Sequence, residues 1–377
     1  MKMKLLSLID NCGDKNIYEQ SRSDELNKYL CNISHDVKNH ISKYCTSKCN
    51  DWDTMKKLTN PYELVFSNCK ESFSKKRPIS RAYFKLREIM VDFVLPWINP
   101  TTPLRTAHIA EAPGGFIECV LDIEKEHLLN INDMYGITYI AYDRRIPNWR
   151  ISRDYMYKVH LNSEENYNGD IYNIDHIDRF VRDTGENTCF IVTADGGFDC
   201  SNDFNVQETS FAHMLLCEIY ISFRTQHVNG VFIVKCFDIF TTKTVRLISI
   251  LKKAYKFVHI VKPYTSRPAN SEKYIVARGF LGVEGIMHEM RLMRECIVSS
   301  YNSTYDDIYG IDIMDEVRIK IDEFNVHFTM FQNLNILKTI ICIEMKNKNA
   351  DIFEKFNDSL YKNQVHLSKT FCTNYAI

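Results

Sequence analysis

The chain has 377 residues, 45% of them hydrophobic, 25% charged and 12% aromatic, with 47 Lys+Arg set against 48 Asp+Glu. Ordinary apolar content at a net charge of −1 excludes a disordered chain, 13 Gly and 9 Pro exclude a collagen-like one, and apolar runs such as 231–234 and 339–343 fall far short of the about 18 residues of a membrane span. Balanced charge also argues against a protein that coats nucleic acid indiscriminately, while permitting a local basic groove.

The length suits two to three domains, or one large domain with extensions. The 13 cysteines are odd in number and scattered, and the apolar part of MKMKLLSLIDNCGDK is too short for a signal peptide. Free thiols in a reducing, intracellular compartment are therefore expected. Cys45 and Cys49 lie close together without a second Cys/His pair at finger-like spacing, so no metal site is expected.

In chain order, residues 1–75 form an N-terminal extension with helical periodicity over 17–48 and no catalytic pattern. At 75–98, Pro78 sets up a turn, Ser80 is placed to cap a helix, and Tyr83, Leu86, Ile89, Met90 and Phe93 recur at helical spacing. From about 105 to 280 strands alternate with helices. The strands are predicted at 106–110, 134–140, 189–194, 230–237, 256–262 and 273–278, and the helices at 115–128, 173–184, 207–227 and 242–254. This is the pattern of an α/β fold with a doubly wound, Rossmann-like sheet, finished by an antiparallel last pair. The domain is set at 76–280. A mainly helical C-terminal extension, 281–377, carries helices predicted at 283–297, 312–345 and 350–362 and could engage a protein partner.

Two features carry chemistry. The segment TAHIAEAPGGFIECVL (106–121) runs from a strand through a glycine turn into a helix, a device that lets a nucleotide-like ligand approach the backbone. It is neither GxGxxG nor a P-loop. Asp195 ends CFIVTADGG, Lys235 ends GVFIVK, Glu272 opens EKYIVARG, and Lys85 lies on the helix before the glycine turn. Ligands of open α/β sheets bind beyond the carboxyl ends of the strands, so Asp195 and Lys235 should meet. The plain alternative is a structural ion pair.

The blocks SRAYFKLREI, AEAPGGF, NGDI, TADGGF, GVFIVKCFDIFT and VKPYTSRPANSEKYIVARG follow one another over about 80–280. Together they resemble the FtsJ-like 2′-O-ribose methyltransferases, and the last three resemble the cap-specific mRNA branch. The tail is loosely similar to the helical ends of such enzymes in large DNA viruses, and the Ile/Lys/Asn/Tyr-rich composition suits such a source. The resemblance implies a catalytic tetrad of Lys85, Asp195, Lys235 and Glu272. It implies S-adenosylmethionine over Ala110, Glu111, Ala112, Pro113, Gly114, Gly115 and Phe116, with Asp170 and Ile171 near the adenine. It places the transcript at Ser80, Arg81, Asn205, Val206, Gln207 and Asn270. His108 stands where many relatives have an acid, and the spacing of Asp143 suits a ribose contact.

The implied reaction is methyl transfer to the 2′-hydroxyl of the first transcribed nucleotide of capped mRNA. Alternatives are the second capped nucleotide, ribosomal or transfer RNA, and an idle RNA-binding homologue. Lys235 would act either as a neutral base or as an ammonium facing the developing alkoxide. Basic residues at 75–81, 144–153 and 252–267 are candidates for phosphate contacts. No membrane contact is expected. For a viral chain the location would be host cytoplasm or virion, with the nucleus also open because of KKRP at 75–78.

Overall fold

A computed structural model describes residues 4–7, 20–46, 49–67, 71–99, 102–127, 129–143, 145–163, 167–197, 203–302, 308 and 310–377. Arg144 and the Phe198 of TADGGF lie outside them, as does the side chain of Cys49.

The N-terminal extension supplies β1 (Lys4–Ser7), α1 (Gln20–Asn39), the short hairpin β2 (Cys45–Thr46) and β3 (Cys49–Asn50), and α2 (Asp51–Leu58). The central region follows with α3 (Ala82–Ile89), β4 (Leu104–Ile109), α4 (Gly115–His127), β5 (Ile131–Ile137), β6 (Val159–Leu161), α5 (Ile174–Thr184), β7 (Cys189–Ala194), α6 (Gln207–Thr225), β8 (Gln226–Cys236), α7 (Thr242–Ala254), β9 (Tyr255–Val261) and β10 (Lys273–Phe280). The C-terminal extension is α8 (Met287–Asn302), α9 (Asp315–Lys348) and α10 (Ala350–Asn374).

One sheet has the strand order β1-β9-β10-β8-β7-β4-β5-β6. Its members from β8 to β6 are mutually parallel; β10 is inserted antiparallel between β8 and β9, and β1 pairs antiparallel with β9. Central β7 and β8 read as nearly continuous apolar runs because both faces are covered. Val192, Ala194, Phe232 and Val234 join the core beneath α5, α6 and α7. Their sequence neighbours Ile191, Val231 and Ile233 join the opposite core with α3 and α4. This is the doubly wound α/β architecture expected from strand–helix alternation.

Several boundaries differ. The strand expected at 134–140 is β5, three residues earlier; Thr138 and Tyr139 have left the sheet and line a cavity. β6 and β1, only three and four residues long, were not foreseen. The first helix is shorter than 17–48 and ends in a 3₁₀ turn at His40–Tyr44. Ser80 caps nothing; the residue at the start of α3 is Arg81, and Ser80 Oγ is buried without a hydrogen-bond partner. The last helix runs twelve residues beyond 362 because Gln364, Ser368 and Phe371 are buried against the 57–61 segment and the α3 layer.

The two extensions meet. Ser23 Oγ and Asn27 Nδ2 of α1 donate to Asp322 Oδ1 of α9 at 2.9 and 2.6 Å, and Asn325 Nδ2 returns a bond to Asn27 Oδ1 at 2.7 Å. Lys38 of α1 reaches the domain itself, 2.6 Å from Asp238 Oδ2. Asp238 also lies 3.6 Å from Lys273, and all three groups are buried.

Candidate active site

Asp195 follows β7 directly and Lys235 is the penultimate residue of β8. Because β10 is antiparallel, its first end arrives at the same edge of the sheet, with Tyr274 in register with Lys235 and Glu272 just ahead. Lys85 reaches in from α3. Lys235 Nζ lies 3.2 Å from Asp195 Oδ1 and donates to the Asp195 backbone oxygen at 2.8 Å. Lys85 Nζ donates to Glu272 Oε2 at 2.8 Å. Four charges sit largely out of water, balanced two against two.

Burial opposes the charge on Lys235, but Asp195 and Glu272 outweigh it and hold its ammonium above the ordinary lysine range. Burial likewise opposes ionisation of Glu272, and Lys85, Lys235 and Lys262 reverse the balance, holding it well below the carboxylate range. The isolated site therefore holds Lys235 as an ammonium.

Lys235 lines two cavities. The larger, about 780 Å³, also touches Ala110, Ala112, Asp143, Asp170, Ile171, Asp195 and Met214. Its walls need bare backbone. Ala110 adopts φ +54°, and Gly169 adopts φ +70° where a Cβ would overlap the Thr138 carbonyl. A Cβ on Gly197 would come within 2.9 Å of Lys235 Nζ. The residues fit the methyl donor named by the resemblance: a roomy cleft with carboxylates at its rim and exposed backbone at its turns. Asp143 lies there, engaged with Arg145 at 2.6 Å.

Five of the nine residues expected around the donor do not line this cavity. Glu111 turns into the core, 3.0 Å from His108 Nδ1, where burial pushes its carboxyl up. Phe116 packs on Tyr274, with ring centroids 6.0 Å apart. The Pro113 carbonyl accepts from the Arg150 amide, Gly114 faces Ile151, and Gly115 faces Ser80. These residues shape the turn from behind.

The smaller cavity, about 270 Å³, is walled by Lys235, Glu272, Gln207 and Asn270 and by Lys38, Ile41, Trp52 and Lys56 of the N-terminal extension. Gln207 and Asn270 were expected at the transcript and are here. Val206 is exposed beside them, and Asn205 Nδ2 donates to Asn39 Oδ1 at 2.7 Å. Ser80 and Arg81 lie elsewhere: Arg81 turns inward to Glu63 and the Phe66 carbonyl. Arg267 also goes to Glu63, at 2.8 Å, and Lys262 is buried, so neither is free for phosphate.

Three contributors were missed. Tyr274 donates its hydroxyl to Asp195 Oδ1 at 2.8 Å; strand alternation from Glu272 marks it as sharing that face. Glu218 accepts from the Gly196 amide at 3.2 Å, and burial pushes its carboxyl well up. Trp52 had no sequence signal beyond being one of 3 tryptophans.

A family model described as FtsJ-like methyltransferase matches residues 78–280, more than half of the chain. Cap-specific mRNA (nucleoside-2'-O-)-methyltransferase 1 of Caenorhabditis elegans is 29% identical over 242 residues, covering 61% of this chain and 26% of that protein. Cap-specific mRNA (nucleoside-2'-O-)-methyltransferase 2 of Mus musculus is 27% identical over 268 residues, covering 68% and 34%. Inactive cap-specific mRNA (nucleoside-2'-O-)-methyltransferase 1B of Caenorhabditis briggsae is 30% identical over 178 residues, covering 46% and 20%. The chain thus spans a fifth to a third of the length of these relatives. By its matched domain and its sheet, the chain belongs to the FtsJ-like methyltransferase family.

Proposed function

We propose that the chain transfers the methyl group of S-adenosylmethionine to the ribose 2′-hydroxyl of the first transcribed nucleotide of capped mRNA, with Lys85, Asp195, Lys235 and Glu272 as its catalytic tetrad. The observation that carries this reading is the position of Lys235 on the wall shared by two cavities. Methyl transfer is an in-line displacement, so donor and acceptor must approach one point from opposite sides.

S-adenosylmethionine supplies an electrophilic methyl on a cationic sulfur. The larger cavity would hold it through Asp143, Asp170 and Ile171, beside Ala110 and the bare backbone of Gly169. In the smaller cavity Lys235 meets the 2′-oxygen, Glu272 and Lys85 fix the approach, and Asn270 and Gln207 contact the transcript. Alignment of this kind contributes about 7–11 kcal/mol, and general-base assistance typically adds about 10²–10⁴-fold. Lys235 begins as an ammonium and hydrogen-bonds the hydroxyl oxygen. A second positive charge in the site would weaken its hold on that proton; with the proton released to solvent, the neutral amine can take the 2′-hydroxyl proton as the ribose oxygen bonds the methyl carbon and the carbon–sulfur bond breaks, leaving a neutral thioether. Asp195, tied to Tyr274, keeps the amine from turning away.

The capped end is favoured over plain ribosomal or transfer RNA because the relatives that match this chain are named as cap-specific mRNA methyltransferases. The four paired charges speak against an idle homologue, although a relative of 30% identity is inactive. The nine described cysteines, all free, support a reducing compartment.

The test is methyl transfer from labelled donor to three matched RNAs: uncapped, capped, and capped with the first ribose already methylated. Transfer to the second alone supports the first-nucleotide reading. Transfer to the third moves it to the second nucleotide, and transfer to uncapped RNA alone overturns the cap reading. Lys235→Ala is expected to bind donor and lose turnover by at least about 10³-fold; near-normal turnover overturns the tetrad.

A further inference from the structure

Lys262 stands at the end of β9, and its amine is buried at the centre of the connection that returns to β10. Nζ donates to Ser266 Oγ at 2.9 Å, to the Asn270 carbonyl at 2.7 Å and to the Glu272 carbonyl at 2.6 Å. Those bonds use all three donors of an ammonium. They gather the start, the middle and the end of the connection around one nitrogen. Ser266 then passes the contact on, donating its hydroxyl to Glu272 Oε1 at 2.7 Å, while Lys85 holds Oε2. Lys262 lines neither cavity.

We propose that Lys262 is a positioning residue for the methyl transfer: through Ser266 it orients the Glu272 carboxylate, and through the Asn270 carbonyl it sets the wall that faces the transcript. A lysine is a poor choice for packing alone at this place. Burial drives its amine down to about 7, against the pull of Glu272, and Lys273 and Lys85 add repulsion. An apolar side chain would fill the same space at lower cost. Three acceptors of one connection converge on the amine instead.

The inference rests on the proposed reaction and is tested by a double-mutant cycle on kcat with Lys262→Met and Ser266→Ala. Lys262→Met is expected to lower kcat about 30-fold and Ser266→Ala about 10-fold, with the double variant near 30-fold and donor KM unchanged in all three. Multiplied losses near 300-fold, or a full kcat in Lys262→Met, overturn it; a residue that only stabilised the fold would give one of these. Should Lys262→Met not fold, Lys262→Arg takes its place in the cycle and is expected to retain more activity than Ser266→Ala. Amide exchange over 263–272 is read alongside in the chain alone and is expected to rise at least tenfold in the Lys262 variant. Wild-type chain that methylates no RNA defeats the reaction, yet unchanged exchange in that connection still defeats the role of Lys262.

Discussion

Tyr274→Phe removes one oxygen and leaves the ring in place against Phe116. The lost bond is a phenol donating to Asp195 Oδ1 at 2.8 Å, and Tyr274 is fully buried, so bulk water does not replace it. A hydrogen bond to a charged acceptor contributes about 1.5–3 kcal/mol, and the unfolding free energy should fall by that amount. Asp195 Oδ1 then keeps Lys235, at 3.2 Å, as its partner. Without the phenol sharing its charge, Asp195 pulls harder on the ammonium and raises an amine that it already holds high. The rising limb of the pH–rate profile should move to higher pH, with kcat at pH 7 lowered about tenfold for each ~1.4 kcal/mol of added proton affinity. Urea unfolding and methyl-transfer rates across pH measure both quantities. A variant of wild-type stability whose rate profile is unmoved would refute the coupling of Tyr274 to Lys235 through Asp195.

Glu218→Gln should stabilise the protein. Burial holds its folded carboxyl above the unfolded value, so wild-type stability declines as pH rises above about 4.5, and the advantage of the variant should grow from pH 4 to pH 7, read by denaturation at the two values. Asp238→Asn leaves Lys38 and Lys273 buried without a counter-charge and should cost about 3–5 kcal/mol; an unfolding midpoint within error of wild type would show that the pair is not closed in solution. Lys262 faces Glu272, Lys273, Lys85 and Asp238, and its amine is lowered to about 7. The unfolded chain then binds more protons between about pH 7 and 10.4, so wild-type stability relative to Lys262→Met should rise across that window by up to ~1.4 kcal/mol per unit, and a falling difference would contradict the burial.

The meeting of Asp195, Lys235 and Glu272 was legible because each sits at one end of an apolar strand run, whereas Lys85, within α3, was singled out through the family resemblance. Runs such as CFIVTA and GVFIV have to be central strands, and a charge at the end of such a run has few places to go. Long-range partners were not legible. Arg81 and Arg267 read as a basic groove, yet both are spent on Glu63, and the second of these contacts joins residues 204 apart. Lys262 read as one more surface cation because the pattern VKPYTSR says nothing of three acceptors folding back on it. Ser80 had the residue type of a cap, but the helix starts one residue later and the glycine turn presses on its hydroxyl. The donor loop was legible as a loop, though not in which of its residues face the ligand: the cleft is lined by Ala110 and Ala112, while Glu111 between them points the other way.

The polar seam between α1 and α9 joins Ser23 to Asp322, residues 299 apart in the chain. A ribosome adds about 5–20 residues per second, so α1 leaves the tunnel about 15–60 s before its partner helix exists. For that interval the face carrying Ser23, Asn27 and Leu30 has no surface of its own chain to cover it. The acceptor-side wall at Ile41 and Trp52 comes from the same extension, and its docking waits on the same helix. Completion of that wall is thereby tied to the synthesis of α9, and a nascent chain interrupted before Asp315 carries the strands of the sheet without it.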